Sequence, residues 1–213
     1  VYDAGTTPLG RPYFVMELVR GVTMREELNR LGRLSPEMAA DWFQQLLDGL
    51  EAAHRETIIH RDLKPENVLV SRDAQGQPHL QILDFGLAKL TATNNSGDNQ
   101  SDTDAQTTPA EMQTMPGMIV GTPKYMSPEQ ARGLEVDHRS DLFSLGVVMY
   151  ELLSGRAPFT GETTADVVAA LLSGEPRPLT HYQAGLPAAL QEIVNRALSK
   201  SIADRYQTAS EIG

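Results

Sequence analysis

The stretch from Ser140 to Gly155 constrains the fold more than any other part of this chain. Leu142, Phe143, Leu145, Val147, Val148, Met149, Leu152 and Leu153 fall at spacings that cover nearly every side of an α-helix, and Gly155 supplies its stop. Ser140 or Asp141 is the expected N-cap. A helix that is apolar all round has no face to offer water, so other elements must wrap it. A chain of 213 residues is long enough to do so within one cored domain. Hydrophobic residues at 40% and charged residues at 22% are ordinary for such a domain.

The wrapping elements are legible on either side. Residues 11–20 read as a strand running into a connector. Thr23 and Glu26 form a T-x-x-E capping box that starts a short helix ending near Gly32. Ser35, with Pro36 at the first helical position, opens a longer helix whose apolar positions are Met38, Trp42, Leu46, Leu50 and Ala53. Ile58-Ile59, Val68-Leu69-Val70 and Leu80-Gln81-Ile82-Leu83 read as short strands. Leu190, Ile193, Val194, Ala197 and Leu198 mark an amphipathic helix opened by Pro187, and a last helix is expected from about Asp204. Between 91 and 117 the composition shifts to Thr, Asn, Ser, Asp, Gln and Pro, with no apolar face, which reads as a polar loop insert.

Charge and cysteine content exclude several classes. A formal charge of -10 argues against a binder of phosphate backbones, which needs a basic stripe. With no cysteine there are no disulfides or thiolate metal sites, which suits a cytoplasmic setting. No apolar run approaches the roughly 18 residues of a membrane span. His54, His79, His138 and His181 lack ligand-like spacing and read as surface or structural residues, and Asp98, Asp102 and Asp104 read as solvated linker.

The chemistry concentrates in His60-Arg61-Asp62-Leu63-Lys64-Pro65-Glu66-Asn67, between two apolar runs, and in Asp84-Phe85-Gly86 about 20 residues later. Phosphoryl transfer needs a carboxylate to orient an attacking hydroxyl, cations to neutralise phosphate charge, and oxygen ligands to hold those cations. Asp62 suits the first task, Asn67 and Asp84 are hard oxygen ligands of the kind Mg²⁺ prefers, and Lys64 adds a positive charge beside Asp62.

Taken together, in this order and spacing, these segments resemble the signature set of the eukaryotic-like Ser/Thr protein kinases. Gly121-Thr122-Pro123-Lys124-Tyr125-Met126-Ser127-Pro128-Glu129 resembles the end of the kinase activation segment, and Ser127-Pro128-Glu129-Gln130-Ala131-Arg132-Gly133 looks most like bacterial members. The resemblance implies an α+β, protein-kinase-like fold, mostly the helical C-terminal lobe with the last small-lobe strands. It implies ATP and Mg²⁺ as cofactors, Asp62 as catalytic base, Lys64 on the γ-phosphate, and Asn67 and Asp84 as metal ligands. Thr122 would shape the seat of a protein Ser/Thr acceptor. Met16 would be the gatekeeper of a hinge, with backbone groups of Glu17 and Val19 on the adenine and Leu69 as the floor beneath it. His60 packs under Phe85, Asp141 holds the catalytic loop, and Glu129 pairs with Arg205. Arg61 would receive a phosphorylated activation-loop residue, with Thr114 the first choice and Thr108 the second. Possible self-association for autophosphorylation follows from the same idea.

The resemblance also divides the chain: 1–16 as the end of the small lobe, 17–20 as the hinge, 21–213 as the large lobe, with an activation segment at 84–129. It places Val1 in the fourth strand of the small lobe. No G-x-G-x-x-G loop and no V-A-I-K lysine occur in the 213 residues, so the chain by itself is expected to bind ATP weakly and turn over poorly. A pseudokinase or docking module is the competing expectation, distinguished by whether upstream sequence supplies those elements. A small-molecule phosphotransferase ranks lower, because the long segment ending in Gly-Thr-Pro and Ser-Pro-Glu is foreign to it.

Overall fold

Every residue from Ser140 to Ser154 is buried. The computed structural model describes residues 2–85 and 123–213. In chain order its elements are β1 (Asp3–Thr6), β2 (Pro12–Val15), β3 (Val22–Thr23), α1 (Met24–Leu31), α2 (Pro36–Arg55), β4 (Val68–Arg72), β5 (Pro78–Ile82), α3 (Pro128–Ala131), α4 (His138–Ser154), α5 (Thr164–Ser173) and α6 (Ala188–Ala197). Helix α4 is the axis of the core, with α2 and α6 packed against it. Trp42, Leu46 and Leu50 of α2 and Val194 and Ala197 of α6 are fully or almost fully buried. Each large apolar side chain moved from water in this way contributes roughly 1.5–3 kcal/mol. The α4–α6 crossing is close because Gly146 has no side chain: a Cβ there would lie 2.8 Å from Cβ of Ala197.

Several elements differ from the sequence expectation. The N-cap of α4 is Asp137, whose side chain accepts from the Arg139 N–H. Ser140 and Asp141 lie within the first turn, their side chains engaged with other segments. Met38 is 42% exposed, so the buried stripe of α2 begins with Ala39 and Trp42. Ile58-Ile59 forms no strand, and Ile58 is 43% exposed. Two β-branched residues without a partner strand make no ladder. In place of the helix expected from about Asp204 there are two 3₁₀ turns, Ile202–Asp204 and Ala209–Glu211, whereas the strand running into a connector expected over 11–20 is present, β2 giving way after Val15.

Strands β3, β4 and β5 form an antiparallel sheet, pairing Val22 with Val70 and Val68 with Ile82. Val68 and Val70 are buried while Leu69 between them is only half-buried, the period-two alternation of a one-sided sheet. β1 and β2 make a separate antiparallel pair, with Asp3 opposite Val15. The architecture is α+β, helix-rich with small antiparallel sheets. Among the described residues no helix is long and apolar enough to cross a membrane.

Candidate active site

The loop between α2 and β4 carries the polar cluster, and α4 fixes its shape. One Asp141 carboxylate oxygen accepts the His60 backbone N–H at 2.8 Å and the other accepts that of Arg61 at 2.8 Å. Arg61 adopts φ +70°, a left-handed conformation that costs a non-glycine residue of order 1–3 kcal/mol unless its surroundings hold it. The fully buried Asp141 carboxylate supplies that hold. Leu63 is anchored in the core, while the Asp62 side chain between these fixed points is 58% exposed. Lys64 Nζ donates to Asp62 Oδ2 at 2.6 Å. Asn67 Nδ2 donates to the Asp62 carbonyl at 2.8 Å and to Oδ2 at 3.1 Å. With its nitrogen so engaged, the Asn67 side-chain oxygen is left for another partner.

The second segment follows β5. Leu83 N–H donates to the Asn67 carbonyl at 2.8 Å, tying the two segments together. His60 adds a second tie. Its Nδ1 accepts the Asp62 N–H at 3.2 Å, so Nε2 carries the proton and donates to the Leu83 carbonyl at 2.7 Å. Its ring also meets Phe85 edge to face at 4.9 Å. Asp84 is exposed and sits at φ +60°. An exposed carboxylate and an amide oxygen without a partner among the described residues suit Mg²⁺, which keeps several waters and takes few protein ligands. Among the described residues no cluster of three or more His, Asp or Glu competes for a metal.

Past the undescribed stretch, Ser127 caps α3 in a reciprocal box with Gln130. Gln130 Nε2 then reaches the Arg61 carbonyl at 2.6 Å. Glu129 takes two bonds from Arg205, at 2.7 and 2.8 Å, with the pair 3% and 0% exposed. Burial alone would raise the Glu129 carboxyl, but the bonds from Arg205 and Ser140 outweigh it and hold its pKa at about 2. The Arg61 side chain is half-buried and has no ion-pair partner among the described residues. Gly86, Thr108, Thr114 and Thr122 lie outside the described residues.

At the connector, Met16 is 50% exposed, Glu17 is exposed and Val19 is half-buried. Gly21 then brings this segment against β4, where a Cβ would lie 2.7 Å from the Val70 carbonyl oxygen. That close approach sets Gly21 against the Val70–Ser71 peptide.

Two groups of residues hold more of the site than the sequence reading gave them, which had His54 only as surface or structural. His54, 8% exposed at its side chain, places Nε2 2.8 Å from Asp141 Oδ2 and is therefore part of the loop's anchor. The other group centres on Arg25, which bonds Glu66 at 2.7 Å and Glu151 at 2.9 and 3.1 Å and also meets the Tyr125 hydroxyl. Tyr125 donates to Glu151 at 2.5 Å. Burial and the Glu151 carboxylate push the Tyr125 phenol well above its ordinary value. The sequence signals for this group were the placement of Glu66 inside the chemical segment and of Tyr125 inside the Gly121–Glu129 segment.

The protein kinase domain family model matches residues 7–212, and the chain belongs to that family. Among its relatives, the serine/threonine-protein kinase PknB of Mycobacterium tuberculosis is 39% identical, with 100% of this chain and 31% of that protein aligned. Pkn1 of Myxococcus xanthus is 40% identical over 97% of this chain and 27% of its own length. Pkn3 of the same organism is 37% identical over 98% of this chain and 36% of its own length. The chain thus spans only about 31% of the length of the first of these relatives.

Proposed function

We propose that this domain is an ATP-dependent Ser/Thr protein kinase. The observation that carries this reading is Asp62: an exposed carboxylate on a loop whose backbone is pinned from beneath by Asp141, flanked by Lys64 and Asn67 within hydrogen-bond reach. Such a carboxylate can accept the proton-bearing side of an acceptor hydroxyl and aim its oxygen, which is most of what phosphoryl transfer asks of a protein. Lys64 stays beside it as the fixed positive charge. Asn67 and Asp84 are the residues that would hold Mg²⁺. Bound Mg·ATP supplies the phosphoryl group and the cations that neutralise its charge. Glu17 and Val19 would meet the adenine through their backbone, with Met16 as gatekeeper and Leu69 as floor, and Thr122 would frame the acceptor's seat.

The same reading keeps residues 1–16, 17–20 and 21–213 as small-lobe end, hinge and large lobe. It assigns Arg61 as the receiver of a phosphorylated Thr114 or Thr108, with self-association as the route to that modification. A cytoplasmic setting is proposed because ATP and Mg²⁺ are available there. Kinetics of the full-length protein on a generic Ser/Thr acceptor provide the test. Asp62→Asn should lower kcat by about a hundredfold or more while leaving ATP binding near the parent value. Asp84→Asn should instead raise the Mg·ATP concentration needed for half-saturation. Near-normal turnover by Asp62→Asn would sink the assignment.

A further inference from the structure

The cleft beside Asp62 is electrically uneven. One part, about 370 Å³, is lined by Arg25, Lys64, Glu66, Lys124, Tyr125 and Glu151. A second part, about 620 Å³, shares Lys124 and Glu151 and continues past Arg156 and Arg177. The carboxylates of the first part are already committed. Arg25 bridges Glu66 and Glu151, and Tyr125 also donates to Glu151. A basic side chain arriving from outside would have to displace Arg25 to reach Glu151, and at Glu66, 44% exposed at its side chain, it would share the carboxylate with Arg25. Glu175, on the wall of the second part, lies in the field of Lys200.

The cations are not committed in this way. Lys124, Arg156 and Arg177 are exposed, and none has a carboxylate partner among the described residues. The walls that carry the two arginines are held firmly. Tyr150 donates to the Arg177 carbonyl at 2.9 Å, and Ser154 both donates to the Arg156 carbonyl at 2.8 Å and accepts its N–H at 3.1 Å. In a chain with 28 acidic and 18 basic residues, three unpaired cations along one cleft run against the overall charge.

We infer that this cleft receives the acceptor polypeptide and selects one with Asp or Glu near the target hydroxyl, their carboxylates meeting Lys124, Arg156 and Arg177. The inference rests on the kinase reading above and names its substrate class. Exposed charge pairs are individually weak, but three acting on one peptide give a preference of about tenfold that salt erodes.

The experiment compares three peptides that share a central Thr and differ only in flanks of Glu, Gln or Lys, with the full-length protein and Mg·ATP. Expected is a kcat/KM about tenfold higher for the Glu-flanked than for the Gln-flanked peptide, shrinking towards parity near about 0.5 M salt. In the Arg156→Glu/Arg177→Glu variant the order of the Glu and Lys peptides should invert. Each ratio is taken on one enzyme, so a general loss of activity cancels. If that variant does not fold, the salt dependence of the parent decides alone. Equal rates on Glu and Gln peptides, or a parent preference for Lys, would overturn the inference and leave the kinase reading intact. Absence of transfer to any peptide and to a generic protein acceptor would instead refute the kinase reading, and this inference with it.

Discussion

At the scale of single residues, Asp141 holds more of the site's geometry than any side chain with a chemical role. It accepts from two successive backbone N–H groups and faces His54, and it does so without touching solvent. Asp141→Asn keeps the shape but presents an NH₂ to one of those three partners. We expect a lower thermal midpoint, corresponding to about 2–4 kcal/mol, and a kcat that falls more than the KM for ATP rises. A merely structural role would move the midpoint and leave the kcat-to-KM split untouched, so the split is the readout. This residue was legible in the sequence only through its match to a family pattern, and there its neighbour Ser140 or Asp141 itself looked like a cap. Polar residues at 137, 140 and 141 all meet the chemistry of capping. What chose Asp137 is the backbone, extended at φ -114° and ψ -175° there, with Asp141 drawn off by a loop some 80 residues earlier in the chain.

Among elements, α3 and the last 3₁₀ turns are joined chiefly through Glu129 and Arg205. The Glu129 carboxyl sits at about 2 in the folded chain against an ordinary 4.5. A depressed folded value means the unfolded chain binds the proton more readily. The stabilisation is therefore complete above about pH 4.5 and is lost as the pH falls towards 2, to the extent of about 3 kcal/mol. Denaturant titrations at pH 6 and pH 3 should show about 2 kcal/mol of this loss in the parent and a much flatter profile in Glu129→Gln. At neutral pH, Glu129→Ala leaves Arg205 buried and uncompensated, and should cost about 3–5 kcal/mol. A parent-like melting curve would count against the buried pair. Elements defined by local chemistry were the easy ones to read: the Thr23–Glu26 capping box, Ser35 with Pro36, and the stop at Gly155 all stand. Those that depend on distant partners were not. Ile58-Ile59 lacks a strand to pair with, and Arg25 meets Glu66 and Glu151 across 41 and 126 residues, separations at which no periodicity operates.

For the whole molecule, the regulation proposed above would act through Arg61, half-buried beside Asp62. Full-length protein allowed to autophosphorylate should carry phosphate on Thr114 or Thr108, and a Thr107/Thr108/Thr114 triple Ala variant should lose most of its activity. Phosphate mapped only before residue 104, or full activity in the triple variant, would reject control through Arg61. A different consequence follows from the burial of α4 along its length. Asp141 near one end grips the loop that bears Asp62, while Glu151, Tyr150 and Ser154 near the other hold the walls of the charged cleft. Asp141 and Glu151 are ten helical steps apart, a span of about 15 Å at about 1.5 Å each. The helix is thus a ruler set between two workpieces. Its graduations are fixed by the helical repeat, and a single residue inserted between those marks would swing one end by about 100° relative to the other. Surface loops can lengthen without altering that measurement, so variation in length belongs to them and is closed to the ruler.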